Sequence, residues 1–303
     1  MTATFADILR CPTCGGRLSP APGALECPGE HRFPIVGCVP RFVDSELDLG
    51  NFGFEWNRHR TTQLDGPDSD ESERTFRRKT GFAPADLEGR LVLDAGCGMG
   101  RFSDVASRWG GTVVAVDLSG AVDAAHRNLG HRENVHIVQA DIFHPPFADA
   151  TFDAVFSIGV LHHTPNTRRA FERLTRLVKP GGVIAIWLYS GYGSAKWTVS
   201  DLLRRWTWRL PRRTLHALAH VAVPKYYVDR LPAIGPISRV LLPVSPHPRA
   251  DWRVLDTFDW YSPRYQWKHT YEEVFPWFEA QGLVDIRVLG VPVALRGRRP
   301  TYS

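Results

Sequence analysis

The segment Leu91–Phe102, LVLDAGCGMGRF, constrains the fold more than any other part of the chain. It starts as an apolar run that ends at Asp94 and continues into a turn containing Gly96, Gly98 and Gly100, which predicts a buried strand followed by a loop. We expect a helix to follow. Because glycine lets backbone N–H groups approach a ligand and a helix N-terminus favours an anionic or strongly polar group, this junction is typical of a cofactor-binding turn.

The turn departs from the dinucleotide-binding pattern G-x-G-x-x-G, since Arg101 stands at the position of the third glycine. The segments that follow are more informative. Two apolar runs end in acidic residues, Asp117 and Asp141, a third leads into GVLHHTPN, and an LVKPGG turn precedes a fourth. An acidic residue about twenty positions after a glycine turn can accept hydrogen bonds from both hydroxyls of a ribose.

This order of strands, acidic ends and Lys-Pro-Gly-Gly turn resembles that of the class I S-adenosylmethionine-dependent methyltransferases. The resemblance covers residues 87–189 and continues more weakly through 270–296. It implies an α/β fold with a doubly wound, seven-stranded, Rossmann-like sheet, and an enzyme whose cofactor is S-adenosyl-L-methionine. On this basis residues 87–303 are predicted to form the methyltransferase domain.

The same resemblance assigns residues to the cofactor. Asp94 and the backbone of Gly96 and Gly98 are implied to hold its methionine end, and Asp117 its ribose hydroxyls. The remaining implied contacts are Leu118 against the adenine, Asp141 and Ile142 at the adenine edge, and Ala95 and Ser157 nearby. Taken singly, Asp94 and Asp117 are also compatible with strand-end carboxylates that cap the next helix.

Two adjacent histidines, His162 and His163, follow a predicted strand at the edge of the sheet where ligands bind. A neutral imidazole there can take a proton from a nucleophilic hydroxyl, so both are candidate catalytic residues. The alternative is a packing or cofactor-side role, because methyl transfer to an anion or to an electron-rich carbon needs no base.

Four of the five cysteines precede residue 40, which favours metal binding or free thiols over a disulfide framework. Cys11 and Cys14 form a C-x-x-C, and Cys27 and His31 a C-x-x-x-H, so three thiolates and an imidazole can surround Zn²⁺. Residues 1–43 are predicted to be a zinc-ribbon-like module, similar to those associated with tRNA and rRNA methyltransferases. A ribbon that has lost its metal is the alternative, and Cys38 is predicted to be a small core residue.

Residues 44–86 are predicted to connect the two modules and to cover the cofactor. In the segment 52–60 the alternating Phe52, Phe54 and Trp56 suit an aromatic wall beside the methionine end, or a patch that packs the connector on the domain.

The resemblance implies that residues 270–283 form the helix after the fifth strand and that a final pair of antiparallel strands follows. Residues 190–268 then stand as an insertion, which we expect to form a helical and aromatic cap. Within it, DLLRRWTWRLPRRTLHALAH is basic and amphipathic. Such a segment can bind an anionic membrane, a lipid-linked or phosphorylated substrate, or RNA phosphates. The alternative is that its apolar face is simply buried on the domain. The predicted acceptor pocket comprises Phe54, Trp56, Tyr189, Tyr192, Trp260, Tyr261, Tyr265 and His269.

The predicted function is methyl transfer to O, N or C of a small metabolite, including one that bears a sugar, phosphate or isoprenoid group. A tRNA or rRNA methyltransferase is the alternative, and a non-catalytic cofactor-binding scaffold is the second. The net charge of +5 is too small to indicate a nucleic-acid partner. The sequence shows no leader or membrane span, which predicts a cytoplasmic protein. It indicates neither the acceptor nor the oligomeric state.

Overall fold

The structure, a computed structural model, describes residues 3–43, 53, 56, 58, 61–66, 69–193 and 195–301. The predictions made for Phe52 and Phe54 lie outside these residues.

A mixed sheet of seven strands forms the centre of the fold. Its strands are β5 Leu91–Ala95, β6 Thr112–Asp117, β7 Val135–Gln139, β8 Phe152–Ile158, β9 Val178–Trp187, β10 Val284–Val288 and β11 Ala294–Arg298. They lie side by side in the order β10-β11-β9-β8-β5-β6-β7. The strands β5 to β9 are parallel to one another, and β10 and β11 are antiparallel to their neighbours. The order reverses at β5, which lies between β6 and β8, so a crevice opens at the carboxyl ends of these strands. The predicted fold class, including the final antiparallel pair, is confirmed.

Helices cover both faces of this sheet, which explains why its strands are continuous apolar runs. These helices are α2 Glu71–Thr80, α3 Pro84–Leu87, α4 Arg101–Arg108, α5 Val122–Leu129, α6 Thr167–Arg176 and α12 Tyr271–Ala280. On one face of the sheet, a hydrophobic cluster that includes Leu93 packs against α6 and α12. On the other face, a second cluster that includes Val92 packs against α2, α4 and α5.

The N-terminal module is a small antiparallel sheet that packs on the main domain. It comprises α1 Ala3–Ile8, β1 Ser19–Ala21, β2 Ala24–Glu26, β3 Arg32–Val36 and β4 Val39–Pro40. Leu9 and Leu25 belong to the same hydrophobic cluster as the main sheet, and the Phe42 N–H donates to the Gln139 carbonyl at 2.8 Å. The expectation for Cys38 was wrong: it is exposed, with φ 64°, because it occupies the turn between β3 and β4.

The insertion folds as the expected helical cap. Its helices are α7 Ala195–Thr207, α8 Arg212–Ala219, α9 Ala222–Val228, α10 Gly235–Leu241 and α11 Ala250–Tyr261. Leu215, Val254 and Phe258 belong to a small core that joins α8 to α11. Within the part of the chain that is described, no helix has the length and apolar character needed to cross a bilayer.

Candidate active site

The glycine turn after β5 is held tightly against its neighbours. The N–H groups of Gly96 and Cys97 donate to the Val116 carbonyl at 2.7 and 2.9 Å. Gly96 has φ 92°, and a Cβ atom there would lie 2.4 Å from both Cγ atoms of Val160. The turn therefore excludes a side chain at this position, and helix α4 begins directly after it, at Arg101.

We expect Gly96→Ala to lower the free energy of unfolding by at least about 3 kcal/mol, because backbone strain and a steric clash add together. Gly89→Ala is the matched control: Gly89 has φ 66°, but a Cβ there meets no atom within 4 Å. The free energy of unfolding of this variant should fall by only about 1 kcal/mol, because backbone strain alone acts on it. Urea denaturation measures both, and equal losses would contradict the account of the turn.

Asp117 connects this turn to the end of β6. Its Oδ2 accepts from the Gly98 N–H at 2.9 Å, and its Oδ1 accepts from the N–H and hydroxyl of Ser119 at 2.8 and 2.7 Å. Burial raises the pKa of the Asp117 carboxyl above its usual value. The structure thus brings Gly96, Gly98 and Asp117 together at the mouth of the crevice, with Leu118 beside them.

Three other residues implied as cofactor contacts lie beneath this surface. The Ser103 hydroxyl donates to Asp94 Oδ2 at 2.6 Å, and the Ser157 hydroxyl donates to the Ala95 carbonyl at 2.7 Å. Burial raises the pKa of Asp94 to about 7. Asp94, Ala95 and Ser157 do not line the cavity described below, so their side chains are placed to support the turn from behind.

A cavity of about 1240 Å³ extends from the crevice to the cap. The implied adenine contacts, Asp141 and Ile142, line it, and so do residues of helix α11 in the cap. Asp141 is held by the Phe143 N–H, which donates to its Oδ1 at 2.9 Å, while Oδ2 lies 3.0 Å from His144 Nδ1. The volume exceeds that of a typical pocket for one small ligand, roughly 300–1,000 Å³, and so has space for a second molecule beside the cofactor.

The two histidines have different surroundings. His163 lines the cavity, and its Nδ1 lies 2.8 Å from the Tyr265 carbonyl. A carbonyl can only accept, so Nδ1 carries the proton and Nε2 the lone pair. Burial lowers the pKa of His163 to about 4, which keeps the ring neutral at physiological pH. His162 is fully buried and its ring is tilted against that of Tyr189, with ring centroids 4.0 Å apart, so of the two histidines only His163 lines the cavity.

Four of the eight predicted acceptor residues line the cavity: Trp56, Tyr189, Trp260 and Tyr265. The indole of Trp56 also lies over Gly98. Phe54 is outside the described residues.

The remaining three, Tyr192, Tyr261 and His269, do not line this cavity, and their polar atoms are engaged elsewhere. The Tyr192 side chain is exposed, and its hydroxyl donates to Glu272 at 2.6 Å. The Tyr261 hydroxyl donates to the Pro243 carbonyl inside the cap. His269 is buried between Thr167, 3.0 Å from its Nε2, and Glu273, 2.9 Å from its Nδ1.

Sequence reasoning missed two charged groups that line the cavity near Asp259, namely Lys79 and Asp256. The Lys79 ammonium lies 3.2 Å from the centroid of the Trp187 ring, and burial lowers its pKa to about 7. Burial raises the pKa of both Asp256 and Asp259 to about 6, and Asp259 accepts from the Tyr189 hydroxyl at 2.9 Å. Lys79 follows an ordinary amphipathic helix pattern, so no local motif distinguished it from a surface lysine.

The predicted metal ligands form a compact cluster in the N-terminal module. The ligand atoms of Cys11, Cys14, Cys27 and His31 all lie within 4.8 Å of one another. The sulfurs of Cys14 and Cys27 are 3.5 Å apart, and the Cys27 sulfur is 3.3 Å from His31 Nδ1. Tetrahedral zinc, with Zn–S near 2.3 Å and Zn–N near 2.0–2.1 Å, requires ligand separations of roughly 3.5–3.8 Å, so the set fits one zinc ion.

Comparison with known proteins identifies the central part of the chain. Residues 93–186 match the family model described as a methyltransferase domain. This stretch is therefore similar to a methyltransferase domain, and it contains β6 to β8 and most of β5 and β9. The match ends before the cap, so it covers the turn, Asp117, Asp141 and both histidines, but none of α7 to α11.

Individual relatives match over similarly limited lengths. A 24-methylenesterol C-methyltransferase of Oryza sativa subsp. japonica is 27% identical over 175 residues, 55% of this chain and 46% of that protein. A demethylmenaquinone methyltransferase of Thermobifida fusca is 38% identical over 121 residues, 39% of this chain and 51% of that protein. A solved S-adenosylmethionine-dependent methyltransferase from Mesorhizobium loti is 16% identical with a TM-score of 0.46, covering 77% of this chain and all of that one. The chain thus spans about half the length of these curated relatives.

Proposed function

We propose that this protein transfers a methyl group from S-adenosylmethionine to an oxygen, nitrogen or carbon of a small molecule enclosed under the cap. The observation that carries the proposal is that one continuous cavity is lined both by Asp117 and Asp141 of the crevice and by Asp259 and Trp260 of the cap. Such continuity lets two molecules meet away from bulk water, which is the main requirement of methyl transfer.

The residues at the crevice fit the cofactor. The backbone of Gly96 and Gly98 would lie along its methionine end, the Asp117 carboxylate would accept from the ribose hydroxyls, and Asp141 would accept from the adenine amino group. When bound, the sulfonium supplies an electrophilic methyl group. The chain contributes alignment and exclusion of water, through Trp56 on one side and the cap on the other.

We assign proton acceptance to His163 Nε2, because the carbonyl of Tyr265 fixes the tautomer and burial keeps the ring neutral. His163→Gln is expected to lower kcat about a hundredfold or more, with the affinity for S-adenosylmethionine unchanged. The lowered pKa places the acid limb of kcat/KM that arises from His163 near pH 4 rather than near its ordinary value, and the variant should lack that limb. His131→Gln, at an exposed position, is the control. An unchanged kcat in His163→Gln would contradict the assignment of His163 as the proton acceptor.

The acceptor class follows from the cap. The names of the two curated relatives, a sterol and a demethylmenaquinone methyltransferase, refer to different acceptors, and the matched domain does not include the cap. The cap side of the cavity combines aromatic rings, such as Trp208 and Trp252, with charged groups, such as Arg212 and Asp256. This lining suits a metabolite with an apolar part and an anionic part, including a lipid-linked one.

Labelled methyl transfer tests the whole proposal. Purified protein is incubated with methyl-tritiated S-adenosylmethionine and, separately, a small-metabolite fraction, a lipid extract and total tRNA. We expect label in one of the first two fractions, and none with an Asp117→Asn variant. Label in tRNA alone would overturn the small-molecule assignment, and no label in any fraction from protein that binds the cofactor would support the scaffold alternative.

We also propose that Cys11, Cys14, Cys27 and His31 bind one structural zinc ion. Four protein ligands leave no position for a substrate, which is typical of structural zinc. The module is too small to be stable through apolar burial alone, and we infer that the metal holds its two ligand-bearing turns together.

A further inference from the structure

The positive charge of the chain is concentrated in one part of the cap. Residues 202–241 contain eight of the 37 Lys and Arg residues but only one of the 32 Asp and Glu residues, Asp229. The net charge of +5 therefore arises from this segment, while the rest of the chain is slightly acidic. Asp229 is itself paired with Lys225, whose ammonium lies 2.5 Å away and also donates to the Ser238 carbonyl. The segment thus presents cations to solvent without exposed anions.

Helix α7 carries a stripe that combines these cations with exposed apolar side chains. Leu202, Arg205, Trp206 and Arg209 follow the spacing i, i+3, i+4, i+7 from α7 into the residues just after it, so they share one face. All four are exposed, and Trp206 is 72% exposed, although a tryptophan is normally largely buried. The opposite side of the helix contacts the rest of the cap through Leu203.

The helices α9 and α10 extend this surface. Between residues 227 and 241 the exposed large apolar side chains are Tyr227, Val228, Leu231, Ile234, Ile237, Val240 and Leu241. Arg230 and Arg239 lie among them and are exposed. So many contiguous apolar residues outside a core indicate a contact surface, since single exposed apolar residues are ordinary but dense groups are not.

We propose that this surface, residues 202–241, docks on an anionic lipid membrane. Basic residues beside exposed tryptophan and aliphatic side chains are the combination that binds anionic headgroups and buries apolar groups at the acyl boundary. RNA phosphates would use the arginines but leave the aliphatic groups in water. Membrane docking is a property separate from the proposed reaction and does not depend on it. If that reaction holds, Trp208 and Arg212, which line the cavity from the same segment, would place its cap end beside the membrane.

Vesicle flotation of the full-length, zinc-loaded protein without cofactor tests the proposal. The probes are vesicles of phosphatidylcholine alone and of phosphatidylcholine with phosphatidylglycerol at a molar ratio of 7:3. We expect binding to the anionic vesicles only. Arg205→Gln, Arg209→Gln and Arg213→Gln together should weaken it about a hundredfold, since each basic residue near an anionic surface contributes on the order of fivefold. Trp206→Gln with Ile237→Gln and Leu241→Gln should weaken it at least tenfold.

Matched controls come from exposed residues elsewhere. Arg90→Gln removes an exposed arginine, and Val288→Gln an exposed valine of β10, and both should bind as the wild type does. No binding by folded wild-type protein, or equal binding by the apolar variant, would overturn the proposal. A dimer that forms with rising concentration in gel filtration, and that the apolar variant does not form, would also overturn the proposal, because the surface would then bind a second copy of the chain. Because no step needs the cofactor, failure here is separate from failure of the methyltransferase proposal.

Discussion

Asp117→Asn is expected to weaken the binding of S-adenosylmethionine about a hundredfold, because each hydrogen bond to a charged group contributes roughly 1.5–3 kcal/mol. Asp117 ends β6, and its carboxylate also fixes the Gly98 N–H at 2.9 Å, so the variant loses both a proposed ribose contact and part of the turn. Calorimetric titration of the wild type and the variant measures the difference.

Glu133→Gln is the control, because it removes an exposed carboxylate just before β7, at the opposite edge of the sheet from Asp117. It should bind the cofactor as the wild type does. The circular dichroism spectrum of Asp117→Asn should match that of the wild type, which separates lost affinity from lost fold. An Asp117→Asn variant that is folded and binds with wild-type affinity would contradict the assignment of this residue.

Loss of the metal is expected to unfold the N-terminal module. In Cys27→Ser, or after treatment with a strong chelator, zinc content should fall from one per chain to none. Structural zinc in small modules contributes on the order of 10 kcal/mol to folding. Hydrogen exchange measured by mass spectrometry should then show lost protection over residues 9–42 and retained protection over 91–187, because most of the residues that pack on the large sheet lie outside the module.

Cys38→Ser is the matched control, since Cys38 is exposed and is not part of the ligand cluster. It should keep its zinc and its protection. Equal zinc content in Cys27→Ser and Cys38→Ser would contradict the proposed ligand set. A zinc-free wild type with full protection over the module would mean that the four side chains survive there only as packing.

The sequence was most informative where local backbone chemistry decides the structure. The glycine turn after β5 is needed for positive φ angles and a close approach to Val160, and such requirements appear directly as residue types. Acidic strand ends, such as Asp117, are equally local, and the spacing of Cys11, Cys14, Cys27 and His31 allowed the cluster to be predicted. The cap was predictable from the length and composition of the insertion, and the final strand pair from the family resemblance.

The sequence was least informative where side-chain direction within the cap decides the site. Tyr261 and Trp260 are neighbours in the chain, yet Trp260 lines the cavity while Tyr261 points into the cap core and donates to Pro243. From composition, both were predicted to line the acceptor pocket. Lys79 and Asp256 lie about 180 residues apart in the chain and meet only in the folded cavity. Cys38 was predicted to be buried because its neighbours are apolar, but a left-handed turn exposes it.

The most direct test of the account is a calorimetric titration of wild-type, metal-quantified protein with S-adenosylmethionine and with S-adenosylhomocysteine. The account predicts one site per chain for each, with a dissociation constant in the micromolar range. Absence of binding by protein that is demonstrably folded would contradict it, because the cavity beside Gly96, Gly98 and Asp117 would then have to serve another ligand.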